Sequence, residues 1–232
     1  MRTMGMMFVF GGLVGVAGVA HAERRTQVVD RMEAAAVVLD EVMSTPDKGV
    51  PPEVFQDAKC IAIIPGFSKG AFIVGGTGGK GVASCRTGTA WSAPAPISAG
   101  GASIGLQVGG AKSDVVLLLM NDRAKNDLMA GKFKGGGDIS VAAGPVGSRV
   151  GGNTSTQNAA VLSYSRTKGL FAGVAFAGVK MGEDKSATSA LYGKAMPLSE
   201  ILNGDAPVPA GSEHLMDSIR QHAGNAGRAS RE

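Results

Sequence analysis

Hydrophobic side chains recur at helical spacing between residues 26 and 43, which predicts an amphipathic helix near the start of the chain. The apolar positions on its predicted face are Val28, Met32, Ala35, Leu39 and Val42. Pro46 and Gly49 end this pattern, because neither residue favours a helix interior. A second, short helix is predicted from Pro52 to Ala58, with the proline at the first position, where its missing N–H costs least.

After this helix the pattern changes to short apolar runs separated by glycine, proline and basic residues, which predicts strands. The predicted strands cover residues 60–64, 71–74, 81–85, 97–108, 114–120, 138–143, 160–165 and 170–181. Asn121 is placed to cap one inserted helix that runs to about Ala130. Lys168-Gly169 is predicted to form the turn of the final hairpin.

Helices followed by many strands predict an α+β fold with a mainly antiparallel sheet. The last predicted strand is rich in small residues, which would let the sheet bend: Gly173, Ala175, Ala177 and Gly178. We therefore expect N-terminal helices packed on a strongly curved, barrel-like sheet, with the one helix from Asn121 inserted between strands.

The first 22 residues have the features of a secretory signal peptide. Arg2 supplies a positive charge, residues 6–19 are apolar, and Ala20-His21-Ala22 is a small-x-small cleavage site. A membrane anchor is the alternative, but the apolar run is shorter than the roughly 20 residues that span a bilayer. We expect an exported chain, periplasmic or secreted, that associates with membranes peripherally.

The mature chain then has one domain over residues 23–203 and a C-terminal segment over residues 204–232. In that segment Pro207-Val208-Pro209 is predicted to be a linker, residues 212–222 a short helix, and residues 224–232 a flexible tail.

Two cysteines, Cys60 and Cys85, each fall in a predicted strand. In an oxidising compartment an even count favours one disulfide, and two buried free thiols are the alternative.

Two glycine motifs suggest chemistry, and each fails on its context. Residues 76–81 match G-x-G-x-x-G, but a phosphate loop requires a helix next and a strand is predicted instead, so we interpret them as a hairpin turn. Residues 101–105 match G-x-S-x-G around Ser103, yet a nucleophile elbow also needs a turn into a helix and a histidine base. His214 and His222, the histidines after residue 22, lie in the polar C-terminal segment. We predict no catalytic residue, metal site or cofactor.

The charge distribution is uneven. Residues 58–181 hold thirteen basic and four acidic residues and no histidine, a local net charge of +9 against +4 for the whole chain. Several of these bases are predicted to lie at turns, with Phe133 exposed between two lysines. Such a surface suits an anionic membrane, and an ordinary solvated surface is the alternative. Nucleic acid is disfavoured as a partner by the export signal.

The chain resembles the SYLF lipid-binding domain family over about residues 26–203. The resemblance is carried by residues 58–65, 69–76 and 80–82, and then by residues 113–121, 131–147 and 164–174. It implies a domain without catalytic activity that binds lipids, including phosphoinositides in eukaryotic members, some of which also bind actin. For an exported bacterial-type chain, only general anionic-lipid binding carries over. The two cysteines depart from the small or aliphatic residues expected at their positions, which supports a disulfide particular to this lineage.

The N-terminal helix is the second departure from the family, whose eukaryotic members use a basic N-terminal segment. Here residues 23–43 have five acidic residues against Arg24, Arg25 and Arg31. We therefore expect the basic turns to contact anionic phospholipids. The candidate lipid-binding residues are Lys69, Lys80, Lys132, Phe133, Lys134, Arg166 and Lys168. An envelope structural or protein-partner-binding module is the alternative function, and a serine hydrolase using Ser103 is the third and least favoured.

Overall fold

The computed structural model describes residues 15–45, 49–72, 74–104, 109–136, 139–145, 158–167, 170–173 and 178–229. The helices are α1 (Gly15–Ser44), α2 (Pro52–Asp57), α3 (Asp122–Met129), α4 (Lys185–Tyr192), α5 (Leu198–Asn203) and α6 (Glu213–Ala229). The first strands are β1 (Cys60–Phe72), β2 (Val74–Thr87), β3 (Ala90–Trp91), β4 (Ala95–Ile104) and β5 (Gly109–Leu119). The later strands are β6 (Phe133–Lys134), β7 (Val141–Ala143), β8 (Val161–Thr167), β9 (Leu170–Gly173) and β10 (Lys180–Glu183).

The strands form one strongly curled sheet in the order β6-β10-β4-β2-β1-β5-β8-β7, with β3 beside β2 and β9 beside β8. All of these pairs are antiparallel except β7 with β8. In a flat sheet, seven spacings of about 4.8 Å would place the edge strands about 34 Å apart. The chain between β6 and β7 can span at most about 25 Å, so the sheet must curl. The predicted α+β fold with a curved, mainly antiparallel sheet is confirmed.

Both faces of the sheet are buried along its central strands. One face, called here the disulfide face, packs Cys60, Ile64 and Leu117 against α3 and α5. The opposite face, called here the α1 face, packs Ile61 and Leu118 against α1, α2, α4 and α6. Because alternate residues point to opposite faces, burial on both sides explains the uninterrupted apolar run of β5.

The glycine-rich segment 76–81 lies inside β2, paired with β1 on one side and β4 on the other. The prediction of a hairpin turn there was wrong, since the chain reverses between Phe72 and Val74 instead. Two of its glycines, Gly79 and Gly81, are needed for close packing within the sheet. A Cβ on Gly81 would lie 2.8 Å from Ile64 Cγ1 and closer still to the carbonyl oxygen of Ile63. Lys69 and Lys80 are therefore strand residues and do not lie at turns.

Several predicted elements are confirmed. The helix from Pro52 ends at Asp57, and Asn121 caps α3 by accepting a hydrogen bond of 2.9 Å from the Ala124 amide. The last hairpin is confirmed by the pairing of Thr167 with Leu170, although Lys168 and Gly169 themselves lie outside the described residues.

The helices at both ends are more extensive than predicted. α1 begins at Gly15, before the predicted cleavage position, and Val28 is the first of its described side chains to be buried. The polar segment after Met181 contains α4 and α5, which were not predicted because their buried faces are short. α6 extends to Ala229 and buries Leu215 and Ile219 in the same cluster as α1. No helix in the described ranges has the length and apolar composition to cross a bilayer.

A disulfide joins Cys60 and Cys85, as favoured from the cysteine count. The two residues lie directly opposite each other on β1 and β2, with Cα atoms 4.0 Å apart. Both are fully buried on the disulfide face.

Candidate functional site

A row of directly opposed residues crosses six strands on the α1 face, beyond the part that the helices cover. Along β6, β10, β4, β2, β1 and β5 its members are Lys134, Lys180, Gly100, Gly78, Ser68 and Lys112. We call this set the lysine row. Its three lysines are exposed and the residues between them are half-buried, so the row presents cations around a floor of small residues. Five strand spacings make it about 24 Å long.

Lys134 and Lys180 are paired directly across β6 and β10. Like charges in this arrangement repel each other, and a nearby anion would relieve the repulsion. Among the described residues, no carboxylate forms an ion pair with Lys134, Lys180 or Lys112. Exposed Lys132 lies just before β6 and adds a further cation. Within the described part of the chain, these four lysines therefore present positive charge without a carboxylate partner.

Lys80 lies on the same face, two positions along β2 from Gly78, and its side chain has a partner. Its ammonium is 3.1 Å from Asp184 Oδ2, and the Arg31 guanidinium is 3.3 Å from the same oxygen. Burial alone would raise the pKa of the Asp184 carboxyl. Hydrogen bonds from Lys80, the Ala187 amide and Ser186, together with the Lys80 charge, outweigh burial and lower that pKa. Lys80 remains 59% exposed, so it can contact solvent while it holds Asp184.

Phe133 does not serve as an exposed apolar anchor, because it is only 1% exposed and packs on the disulfide face. The expectation of an exposed aromatic side chain between two lysines was wrong. Phe133 lies in a strand, where alternation turns it to the face opposite Lys134. Lys132 and Lys134 thus present positive charge at β6 without an aromatic anchor between them.

Arg166 is part of an ion-pair cluster beside the Lys112 end of the lysine row. Its Nε and Nη2 donate to Asp114 Oδ2 at 2.9 and 2.6 Å, and it also pairs with Glu41 of α1. With two carboxylate partners it contributes little free positive charge. Its main effect is to connect β8 and β5 to α1.

Lys69 and Lys168 complete the predicted set. Lys69 lies in β1 opposite Thr77 and Ala111, one position after Ser68 of the lysine row. Lys168 lies outside the described residues. A lipid-binding role for the seven predicted residues stays a prediction.

Two further cations of the basic block have structural partners. Arg86 donates to the carbonyl of Ala58 at 3.0 Å and stacks 4.6 Å above the Trp91 ring. Lys125 donates to the carbonyl of Arg86. In the described part of the block, Lys112, Lys132, Lys134 and Lys180 lie in or beside the lysine row without a carboxylate partner, and Lys59 lies apart from it, just before β1.

Ser103 and the two C-terminal histidines lie on different elements. Ser103 lies within β4 opposite Gly75, and the strand continues to Ile104, so the described backbone at Ser103 is extended. His214 and His222 lie on α6 and hydrogen-bond to the α1 carboxylates Glu33 and Asp40. The described residues contain no group of three or more His, Cys, Asp or Glu side chains arranged to hold a metal ion.

Lys180 and Lys112 were not among the predicted site residues. Lys180 lies in the predicted strand over residues 170–181, and Lys112 could have been added to the strand that the sequence predicts from residue 114. Their partnership with Lys134 and Ser68 depends on strands far apart in sequence, and no local pattern encodes that pairing.

Comparison with known proteins identifies the family. Residues 100–222 match the family described as "Ysc84: Las17-binding protein actin regulator". The chain is 36% identical over 189 residues to SH3 domain-containing YSC84-like protein 1 of Homo sapiens, covering 79% of this chain and 55% of that protein. It is 36% identical over 185 residues to Protein YSC84 of Saccharomyces cerevisiae, covering 77% and 39%. The chain thus spans about half or less of the length of these curated relatives. With these matches and its curled α+β sheet, the chain belongs to the Ysc84 (SYLF) family.

Proposed function

We propose that this domain binds anionic lipid headgroups at a membrane surface without catalysing a reaction. The observation that carries the proposal is the direct opposition of Lys134 and Lys180 without a carboxylate partner among the described residues. Lys112, Lys132 and the exposed part of Lys80 extend the positive surface. The human relative's name describes an SH3 domain-containing YSC84-like protein, and neither that name nor that of the yeast relative mentions a reaction, which supports a binding role.

The small residues of the lysine row favour an open ligand surface over a pocket for a single molecule. Gly100 and Gly78 have no side chains to separate the lysines from several headgroups. Each lysine near an anionic membrane contributes about 1 kcal/mol of attraction, which salt weakens. Binding should therefore depend on headgroup charge and ionic strength more than on acyl chain type.

The test is flotation of the chain with vesicles of phosphatidylcholine alone or mixed with phosphatidylglycerol. The double variant Lys134→Gln/Lys180→Gln should weaken binding to anionic vesicles by about 2 kcal/mol, or roughly 30-fold at low salt. Lys185→Gln/Lys194→Gln removes the same charge from exposed positions in and after α4 and should bind nearly as wild type. Absence of wild-type flotation at low salt, or equal losses in both double variants, would refute the proposed site.

Binding to a protein partner is the second candidate function. It is supported by the family description, which names Las17 binding and actin regulation. A protein captured by the wild type and by Lys134→Gln/Lys180→Gln alike, with no vesicle binding by either, would favour this function over lipid binding.

We also propose that the mature chain begins after Ala22 and works outside the cytoplasm. The signal-like features of the first residues support this, and the first described side chain of α1 to be buried, Val28, lies beyond the cut. Mass determination of the N-terminus after expression in a bacterial host tests it, and an intact Met1 on the exported protein would contradict it.

A further inference from the structure

A cleft of about 410 Å³ opens between α1 and the α1 face of the sheet. Helix α1 contributes Asp30, Glu33, Ala34, Val37 and Val38, which share one side of the helix. Strands β1, β5 and β8 contribute one residue each. The cleft is separate from Lys134 and Lys180, which lie on β6 and β10.

The floor of the cleft is apolar. Ala34, Val37, Val38 and Pro65 supply its carbon surface. Val37 is 42% exposed, and only one other large hydrophobic side chain in the described part of the chain, Val208 at 49%, is exposed as well. A single exposed valine on a protein surface is common. Val37 differs because it lines a concave apolar surface, which a ligand can cover.

The charges around the floor determine which ligand fits. The lining holds the three carboxylates Asp30, Glu33 and Asp114 against the single guanidinium of Arg166. Arg166 is engaged by Asp114 and by Glu41, and Glu33 shares a hydrogen bond of 2.7 Å with His214. Asp30 forms no ion pair within the described ranges. The cleft therefore offers an apolar floor with an acidic rim.

We propose that this cleft docks a cationic amphipathic segment of a partner protein. An aliphatic or aromatic side chain of the segment packs on Val37, and a neighbouring lysine or arginine approaches Asp30 and Glu33. Charge complementarity selects this occupant, because the acidic rim repels an anionic membrane or an acidic peptide. The inference is independent of lipid binding, since the two surfaces use different residues.

The experiment selects short random peptides displayed on phage against the immobilised wild-type chain and, separately, against Val37→Lys. Val208→Lys is the matched control, because it makes the same substitution at the other exposed valine. Enriched peptides are then synthesised and their affinities measured by calorimetry. Circular dichroism and thermal melting of every variant establish that it is folded.

We expect the wild type to enrich peptides that combine lysine or arginine with an aliphatic or aromatic residue. Val37→Lys should bind such a peptide about tenfold more weakly or worse, while Val208→Lys should bind as wild type. Asp30→Lys should also weaken binding, and Asp205→Lys, at an exposed position away from the cleft, should not.

Three results would overturn the proposal. They are the absence of saturable enrichment on the wild type, enrichment of neutral or acidic peptides, and equal affinity of the selected peptides for Val37→Lys and Val208→Lys. Loss of vesicle flotation in Lys134→Gln/Lys180→Gln would leave this proposal unaffected. Lipid binding at the lysine row and peptide docking in the cleft can therefore be refuted independently.

Discussion

The ammonium of Lys80 lies 3.1 Å from Oδ2 of Asp184, a carboxylate that is otherwise almost completely buried. The same oxygen accepts a hydrogen bond of 3.3 Å from Arg31 of α1. Asp184 also caps α4 by accepting from the Ala187 amide at 3.2 Å. One side chain thereby connects the long N-terminal helix, the glycine-rich strand and the start of α4.

Asp184→Asn should destabilise the fold by about 2 kcal/mol, because it leaves Arg31 largely buried without its carboxylate. Asparagine can still cap α4, so most of the decrease in unfolding free energy should come from the lost ion pairs and little from the cap. Urea denaturation measures the difference. Lys80→Gln should cost less than about 1 kcal/mol, since Lys80 is more than half exposed. A larger loss for Lys80→Gln than for Asp184→Asn would contradict this assignment.

The stability contributed by Asp184 should be lost in acid. Its pKa in the folded chain is lowered, so its contribution is present above the unfolded value of about 3.9 and disappears as pH falls through the folded pKa. The difference in unfolding free energy between wild type and Asp184→Asn should therefore shrink in that range. A difference that is constant down to acid unfolding would argue against ionisation as its source.

The hydrogen bonds between α6 and α1 should contribute more to the free energy of unfolding at low pH. His214, Ser218 and His222, spaced four residues apart on one side of α6, all hydrogen-bond to Asp40, and His214 also bonds Glu33. The hydrogen bond with Glu33 is the main cause that raises the pKa of His214, so its contribution is full below about 6.5 and is lost as pH rises through the folded pKa.

The effect of His214 should stay below about 1 kcal/mol because the side chain is well exposed. The urea concentration at the unfolding midpoint should fall as the pH rises from acidic to mildly alkaline values. This fall should be smaller in His214→Gln than in wild type. Asp205→Asn, an exposed carboxylate outside this cluster, is the control and should follow wild type. Identical pH profiles for wild type and His214→Gln would contradict the prediction.

Removing the Cys60–Cys85 disulfide should cost about 3 kcal/mol by the chain-entropy relation for a bridge of this sequence separation. Both cysteines are fully buried, so a reductant should act on the folded chain only after it opens. Urea denaturation with and without a phosphine reductant measures the loss. The Cys60→Ala/Cys85→Ala variant is the control, and its urea denaturation curve should not change with reductant. The prediction would be refuted if the wild-type curve also stayed the same after prolonged reduction of the unfolded chain.

Two glycines of the same motif should respond differently to alanine. Gly81→Ala should destabilise by about 3 kcal/mol, because its methyl group would overlap the Ile63 carbonyl and Ile64. Gly76→Ala should stay within about 0.5 kcal/mol, since no atom lies within 4 Å of the added Cβ. Thermal melting of both variants tests this, and equal losses would refute the close packing of β1 on β2.

The proposed lipid-binding surface shows what sequence and structure each contribute. The unequal charge of residues 58–181 predicts a basic surface, but the same count includes Arg166, Arg86 and Lys125, which the folded chain pairs with other groups. Only cross-strand register brings Lys134 beside Lys180, which are 46 positions apart in the sequence. Local composition cannot distinguish a cation with a partner from one without.

The sequence by itself determined the features that depend on neighbouring residues. These are the amphipathic part of α1, the proline-started α2, the Asn121 cap, the strand over residues 114–120 and the α+β class, because helical period, caps and strand propensity act over a few positions. Tertiary structure decided what depends on distant contacts: the inclusion of residues 76–81 in a strand, the inward side of Phe133, the lysine row and the cleft beside Val37. The physical reason is that strand register and packing against α1 depend on contacts between residues far apart in the chain. The alternation of side chains along each strand then decides which of them are exposed to solvent.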